Sequence, residues 1–294
     1  MAIRSVLAAI PLTLLLFACG HNPTRTASAP VYDAGLGGDF ESIGPATGSF
    51  NLPRRIRHKP TGIVLILVDP GTFTMGTPVT EKYRDLDEEQ HQVTLSTPFY
   101  LGETEVTVYQ WQTVMGGDAN DGPDPNLGEL PMTGVSWHQA KSFVARLNRS
   151  GNPGWRLPDE AEWEYACRAG TTTTFSFGED VTPRQVNYND KHPYLRKTRG
   201  LDRDAPVPVR SLPANPWGFY EMHGNVWEWC EDVYLYHPHR DALPASTVGV
   251  SRVIRGGGFP SRGRQVRSGY RDGYPPGSTG EKYGLRLARS VALK

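Results

Sequence analysis

Between Ser261 and Asp272 the chain places Arg262, Arg264, Arg267 and Arg271 among Gly263, Gly269 and Tyr270. A guanidinium is a planar fork of N–H donors that meets a carboxylate or a phosphate through two bonds at once. The segment is therefore either an anion-recognising loop or the cationic half of internal ion pairs with the chain's own Asp and Glu, and both readings stay open. The pair His237 and His239 is weaker, because two imidazoles two residues apart leave a transition metal short of ligands. Three cysteines, Cys19, Cys167 and Cys230, are too few for a disulfide scaffold or a cysteine-rich metal centre.

Those groups need elements to position them. The 294 residues carry 31 Lys+Arg and 31 Asp+Glu, so no net charge draws the chain to nucleic acid or to an anionic surface. With 38% hydrophobic residues, 32 Gly and 25 Pro, it reads as a folded, turn-rich protein. The run from Ile63 to Val68, followed by Asp69-Pro70-Gly71, predicts a buried strand and a turn. Val93, Leu95, Phe99 and Leu101 predict a further strand pair. Thr107 can cap a helix with Val108, Trp111, Val114 and Met115 at helical spacing before Gly116 ends it. Ser136 caps a second helix, with Trp137, Ala140, Phe143, Val144 and Leu147 on one face. Pro158 to Glu162 opens a third with an Asp-x-x-Glu capping pattern, ending at Gly170. No comparable periodic segment follows Gly170, and no internal repeat is visible. The prediction is an α+β fold with a loop-rich second half.

The N-terminus reads as an address. Arg4 precedes an apolar stretch from Val6 to Ala18, interrupted only by Thr13 and too short to span a bilayer. Leu16-Phe17-Ala18-Cys19-Gly20 resembles a bacterial lipobox, which makes residues 1–19 a lipoprotein signal peptide and Cys19 the lipidated residue. Gly20 in place of Asp is similar to lipoproteins sorted to the outer membrane, so the expected location is the periplasm, on a membrane anchor. The alternative is a plain secretory signal. Residues 20–59, ending in the basic run Arg54-Arg55-Ile56-Arg57-His58-Lys59, are expected as a tether, and residues 60–294 as the domain. In an oxidising compartment Cys167 and Cys230 either form a disulfide or remain two buried thiols.

Several segments together resemble one family. They are Thr72-Phe73-Thr74-Met75-Gly76, Glu105 to Trp111, Pro131 to Trp137, Trp155 to Ala166, Trp217 to Trp229, Arg252 to Phe259 and Gly284-Leu285-Arg286. In order and spacing they are similar to the formylglycine-generating enzyme, or sulfatase-modifying factor, domain over about residues 60 to 292. The resemblance implies a fold related to C-type lectins, low in regular structure and holding calcium, with Trp217, Trp227 and Trp229 in its core. It implies one calcium site at Glu221, Gly224, Val226 and Glu228, using side-chain oxygens of the two glutamates and the carbonyls between them. A second begins at Asn187 and Tyr188, with Asp202 or Asp204 in place of its usual aspartate. The copper-type enzymes use two cysteines on the segment after Arg-x-Gly-Gly, and those positions here are Ser261 and Val266. Neither offers the soft thiolate that Cu(I) requires, so the expectation is no copper and no formylglycine synthesis.

The reading that follows is a non-catalytic, membrane-anchored binding or regulatory protein. It presents the surface around Arg262, Arg264, Arg267, Tyr270, Arg271 and Asp272 to an envelope protein. Among bacterial relatives it most resembles the periplasmic regulator of the type VI secretion threonine-phosphorylation pathway. An alternative is an oxidoreductase acting on a periplasmic small molecule such as a siderophore chromophore precursor, with Tyr270, Asp272, Tyr274 or Glu281 as general base. A third is a glycan-binding, lectin-like protein.

Overall fold

The run Val64–Val68 is buried along its whole length, as a central strand must be, and sits inside a six-stranded antiparallel sheet. The strand order is Phe40–Ser42, Arg55–His58, Val64–Val68, Phe99–Gly102, Ala288–Ser290 and Trp155–Arg156. The last two places join the chain's C-terminal end to its middle, so the sheet ties together segments distant in sequence. In this computed structural model the described residues are 32–293 apart from 34, 45–48, 117–127, 152, 197–199, 237–245 and 247–248. The signal peptide, Cys19, His237 and His239 lie outside the described residues.

The tether expected over 20–59 gives way to sheet before residue 60. Phe40–Ser42 pairs with Arg55–His58, which pairs with Val64–Val68. The basic run hides a strand's period-two pattern: Arg55 and Arg57 face outward while Ile56 and His58 are buried. Arg55 reaches the carboxylate of Glu103, and Arg57 pairs with Glu41 at 3.0 Å. Residues 31–294 form one compact unit.

Three helices lie where local signals put them. Helix α1 (Val108–Met115) is capped by Thr107, whose hydroxyl accepts from Gln110 N while the Gln110 side chain accepts from Thr107 N. Helix α2 (Trp137–Arg149) repeats this with Ser136 and Gln139, and buries Ala140, Phe143, Val144 and Leu147. The two helices lock through Trp111 stacked on Phe143, centroids 5.0 Å apart. Helix α3 (Glu160–Arg168) begins with Asp159 N donating to Glu162 Oε2 and ends on Ala169 in the left-handed region, one residue before the expected Gly170.

A second sheet of four strands supports the loop-rich half, in the order Arg271–Tyr274, Arg252–Arg255, Trp227–Val233 and Tyr283–Gly284, the last pairing parallel. Gly71–Met75 and His91–Leu95 form a separate hairpin. Trp163, Trp227 and Trp229 are buried in the core, whereas Trp217 is half-buried against Tyr165, 4.9 Å between centroids. Cys167 and Cys230 are both buried and unbridged.

Candidate functional site

The segment from Arg255 to Asp272 leaves the second sheet, makes a tight excursion and returns to it. Gly257, at φ 74°, permits the turn: a Cβ there would meet Val266 Cγ1 at 2.5 Å and Gln265 O at 2.9 Å. Ser261 is buried, its hydroxyl accepting from Gly258 N at 3.0 Å and its carbonyl accepting from Asn189 N at 2.9 Å. Val266 is fully buried in a cluster with Phe175, Val181, Val186, Tyr188 and Tyr194. Its carbonyl accepts from His223 Nδ1 at 2.8 Å, which leaves Nε2 to accept from Ser176 at 2.9 Å. Burial lowers the His223 pKa to about 4, so the imidazole is neutral and fixed in one tautomer. The two positions implied as metal-binding are thus a backbone-bonded hydroxyl and a core aliphatic side chain.

The four arginines divide two and two. Arg267 is fully buried, with Nη1 donating to Glu81 at 2.6 Å and both Nη atoms donating to Glu88 at 2.7 and 2.6 Å. Its remaining donors reach Tyr83 O and Arg264 O. Arg271 grips Glu160 through two bonds, 2.7 and 2.8 Å, and donates to Leu235 O. These two are internal pairs and leave the expected partner surface. Burial opposes the charge of Glu160, yet Arg271 and then Arg255 hold its carboxyl below the ordinary range. Arg262 and Arg264 are exposed, and among the described residues neither pairs with a carboxylate. Tyr270 and Asp272 are half-buried. Burial lifts Tyr270 to about 12 and also raises the Asp272 carboxyl, whose Oδ1 accepts from Gly273 N. Tyr274 packs on Tyr283, and Glu281 is exposed. No hydrogen bond links Tyr270, Asp272, Tyr274 and Glu281 into a catalytic set among the described residues.

At the implied calcium positions the side chains behave differently from one another. Glu228 is fully buried and committed: Arg286 donates to both of its oxygens, 2.8 and 3.0 Å, and Trp163 Nε1 donates to Oε2 at 2.6 Å. Glu221, left-handed at φ 51°, accepts from Arg210 N through Oε2, while its buried Oε1 has no hydrogen-bond donor. Asn187 Oδ1 is likewise a buried acceptor with no donor. Glu105, absent from the expected set, adds a third buried carboxylate, accepting from Val226 N and Asn225 Nδ2. Burial, then the charges of Glu221 and Glu228, raises Glu105 well above the carboxylate range, with Arg286 opposing. Glu221 is raised to about 7, chiefly by burial. Arg286 faces all three carboxylates and Arg210 also acts on Glu221, so the feature that fits an added cation is the unpartnered hard oxygen Oε1 of Glu221, while Glu228 is already bonded. Among the described residues no group of three or more His, Cys, Asp or Glu is arranged to hold a metal by side chains alone. At the second position, which the resemblance builds from the Asn187 side chain and the Tyr188 carbonyl, the Asn187 Oδ1 is the unpartnered acceptor, while Asp202 is engaged by Lys191 at 2.7 Å.

Beside Ser261 opens a cleft of about 410 Å³. Arg262 and Arg264 form one wall, the 191–196 loop another, and Lys82 with Tyr83 the third. Only the two arginines were legible as site residues, because the remaining walls are loops with no periodicity.

Mainly antiparallel sheets, three helices and a loop-rich half stitched by buried Arg–Glu pairs define an α+β scaffold of the formylglycine-generating-enzyme type. The chain belongs to the family of the Sulfatase-modifying factor enzyme 1-like domain, which matches residues 52–291. It is 36% identical over 177 residues to the serine/threonine-protein kinase pkn1 of Chlamydia caviae, a match covering 57% of this chain and 25% of that protein. It is 30% identical over 194 residues to the formylglycine-generating enzyme of Mus musculus, covering 60% of this chain and 50% of that one. The chain thus spans a quarter to a half of the length of these relatives. The structure of PvdO from Pseudomonas aeruginosa superposes with a TM-score of 0.65 at 26% identity, covering 79% of this chain and 99% of that one.

Proposed function

We propose that this chain is a non-catalytic member of its family, a binding and regulatory protein of the bacterial envelope. The observation that carries the reading is the state of Val266: fully buried among aromatic and aliphatic side chains, it fills a place where thiolate chemistry would need a reactive, reachable sulfur. Ser261, the other position, spends its hydroxyl on the backbone. The signal-like N-terminus with Cys19 supports export to the periplasm and an outer-membrane lipid anchor, with the partner an envelope protein. Similarity to part of a serine/threonine-protein kinase supports a place in phosphorylation signalling, and the type VI secretion threonine-phosphorylation pathway is the specific assignment. Calcium held by the Glu221 carboxylate and the backbone at 224 and 226 serves as a structural ion that offsets the buried acidic charge.

The test is direct. Purified protein titrated with Cu(I) under reducing conditions, and incubated with a cysteine-containing sulfatase peptide, should take up no stoichiometric copper and form no aldehyde. Either product would overturn the assignment. Replacing Cys19 with Ser should release the protein from membranes and abolish radiolabelled palmitate incorporation; unchanged labelling would remove the anchor.

A further inference from the structure

We infer that the cleft beside Ser261 binds an acidic segment of a partner protein that also carries apolar side chains, a conclusion that rests on the non-catalytic reading and names the chemistry of its partner. Five Lys and Arg side chains and His192 line the cleft, and no Asp or Glu does. In a chain of zero net charge this is a local concentration of one sign. Two of the cations are already balanced: Lys191 pairs with Asp202, and Arg196 with Asp190. Lys82, Arg262 and Arg264 are exposed and, among the described residues, carry no carboxylate partner.

The cationic wall is built, not draped. Gly263 lies so close to the opposite loop that a Cβ would meet Tyr194 N at 2.5 Å, and its own N–H donates to His192 O at 2.9 Å. Arg262 N donates to Gln265 Oε1, closing the turn that carries both arginines. The first and third walls are fastened together from beneath, where buried Arg267 donates to Arg264 O at 2.7 Å and to Tyr83 O at 2.9 Å. Tyr194 donates its hydroxyl to Lys82 O at 2.9 Å. Loops whose backbone is held this way need little ordering on binding, and they fix where the exposed cationic side chains leave the wall.

The rim decides between kinds of anion. Tyr83 is 45% exposed and Leu195 43% exposed, both lining the cleft, and Leu86 on the same loop as Tyr83 is 67% exposed. A lone phosphate would gain nothing from that apolar rim, whereas a peptide can set carboxylates against the guanidinium forks and an apolar side chain against Tyr83 and Leu195.

The probe is a short fluorescent peptide alternating glutamate with leucine, measured by anisotropy on the full chain. Its controls are the same peptide with glutamine for glutamate, inorganic phosphate as competitor, and phosphatidylglycerol vesicles. Binding should weaken with salt, vanish for the glutamine peptide and fall at least about tenfold in the double variant R262E/R264E. Both side chains are exposed, so the melting temperature of that variant should match the parent. Equal binding by the variant, equal binding of the glutamine peptide, or binding confined to vesicles or phosphate would overturn the inference. Envelope-partner capture retained by R262E/R264E would also overturn it while leaving the non-catalytic reading intact; copper uptake by the parent would sink that reading instead.

Discussion

Replacing Arg267 with Met removes a guanidinium whose donors satisfy Glu81, Glu88, Tyr83 O and Arg264 O in a site with no access to water. The methionine fills much of the volume, but Glu88 is left buried with Thr77 as its remaining side-chain donor. Breaking a buried pair from one side costs about 3–5 kcal/mol. For a domain of this size that is roughly a 6–20 °C fall in Tm, by calorimetry or thermal circular dichroism. The sign of its pH dependence follows from Glu88. Burial raises its carboxyl while Arg267 pulls it down, so in the variant burial acts without that counterweight. An acid whose folded pKa lies above its unfolded value is most favourable to folding at low pH and loses that contribution as pH rises through the folded pKa. The deficit of the variant should therefore be smaller at mildly acidic pH than at neutral pH. The double variant R267M/E88L should recover part of the loss, since Glu88 is then no longer stranded and only Glu81 keeps an unpaired carboxylate. A stable R267M protein that has lost only partner binding would refute the reasoning and return Arg267 to the ligand surface.

Gly257→Ala sets a Cβ against Val266 Cγ1 and Gln265 O in a left-handed backbone, and should cost about 1–3 kcal/mol of unfolding free energy in urea titration. Asp232, raised to about 7 by burial and then by Glu160, accepts from Glu160 N at the start of α3. Its raised carboxyl favours folding below the unfolded carboxylate pKa and loses that contribution as pH climbs to about 7; D232N keeps the acceptor, so its stability relative to the parent should grow from pH 4 to pH 7, with a slope of up to about 1.4 kcal/mol per pH unit. Calcium at about one hundred times its dissociation constant should raise stability by about 2.7 kcal/mol, an increase that E221Q should largely abolish and magnesium should not reproduce. An unchanged parent melting curve would remove calcium from the account.

What the sequence revealed depended on how far apart the partners lie. Each helix start is a local transaction between a cap and a residue three places on, as Ser136 and Gln139 show, so all three were readable. The strand Arg55–His58 was misread because its outward positions are arginines, and a charged run masks the alternation that Ile56 and His58 complete. The arginines of 262–271 could not be divided from sequence. Their fates depend on Glu81, Glu88 and Glu160, which reach them only through the fold. The cleft was invisible for the same reason, its walls coming from three irregular loops.

The buried arginines also explain how a scaffold so low in regular structure holds together. A loop-rich interior leaves carbonyl groups that no helix or ladder satisfies, and each needs a donor. Arg286 bridges Glu228 to Gly102 O and Tyr220 O, and Arg168 bridges Glu164 to Gly76 O. Arg255 joins Glu164 to the carbonyls of Ser268 and Tyr270, while Arg271 joins Glu160 to Leu235 O. In each case a carboxylate neutralises the cation and the spare N–H groups fasten irregular backbone, work that a planar fork does and a lysine cannot. None of these contacts passes through the side chains of Ser261 or Val266. The scaffold therefore does not depend on those two side chains for its ion-pair fastening, and Lys substitutions at Arg255, Arg271 or Arg286 should unfold the protein far more readily than Ser261→Ala.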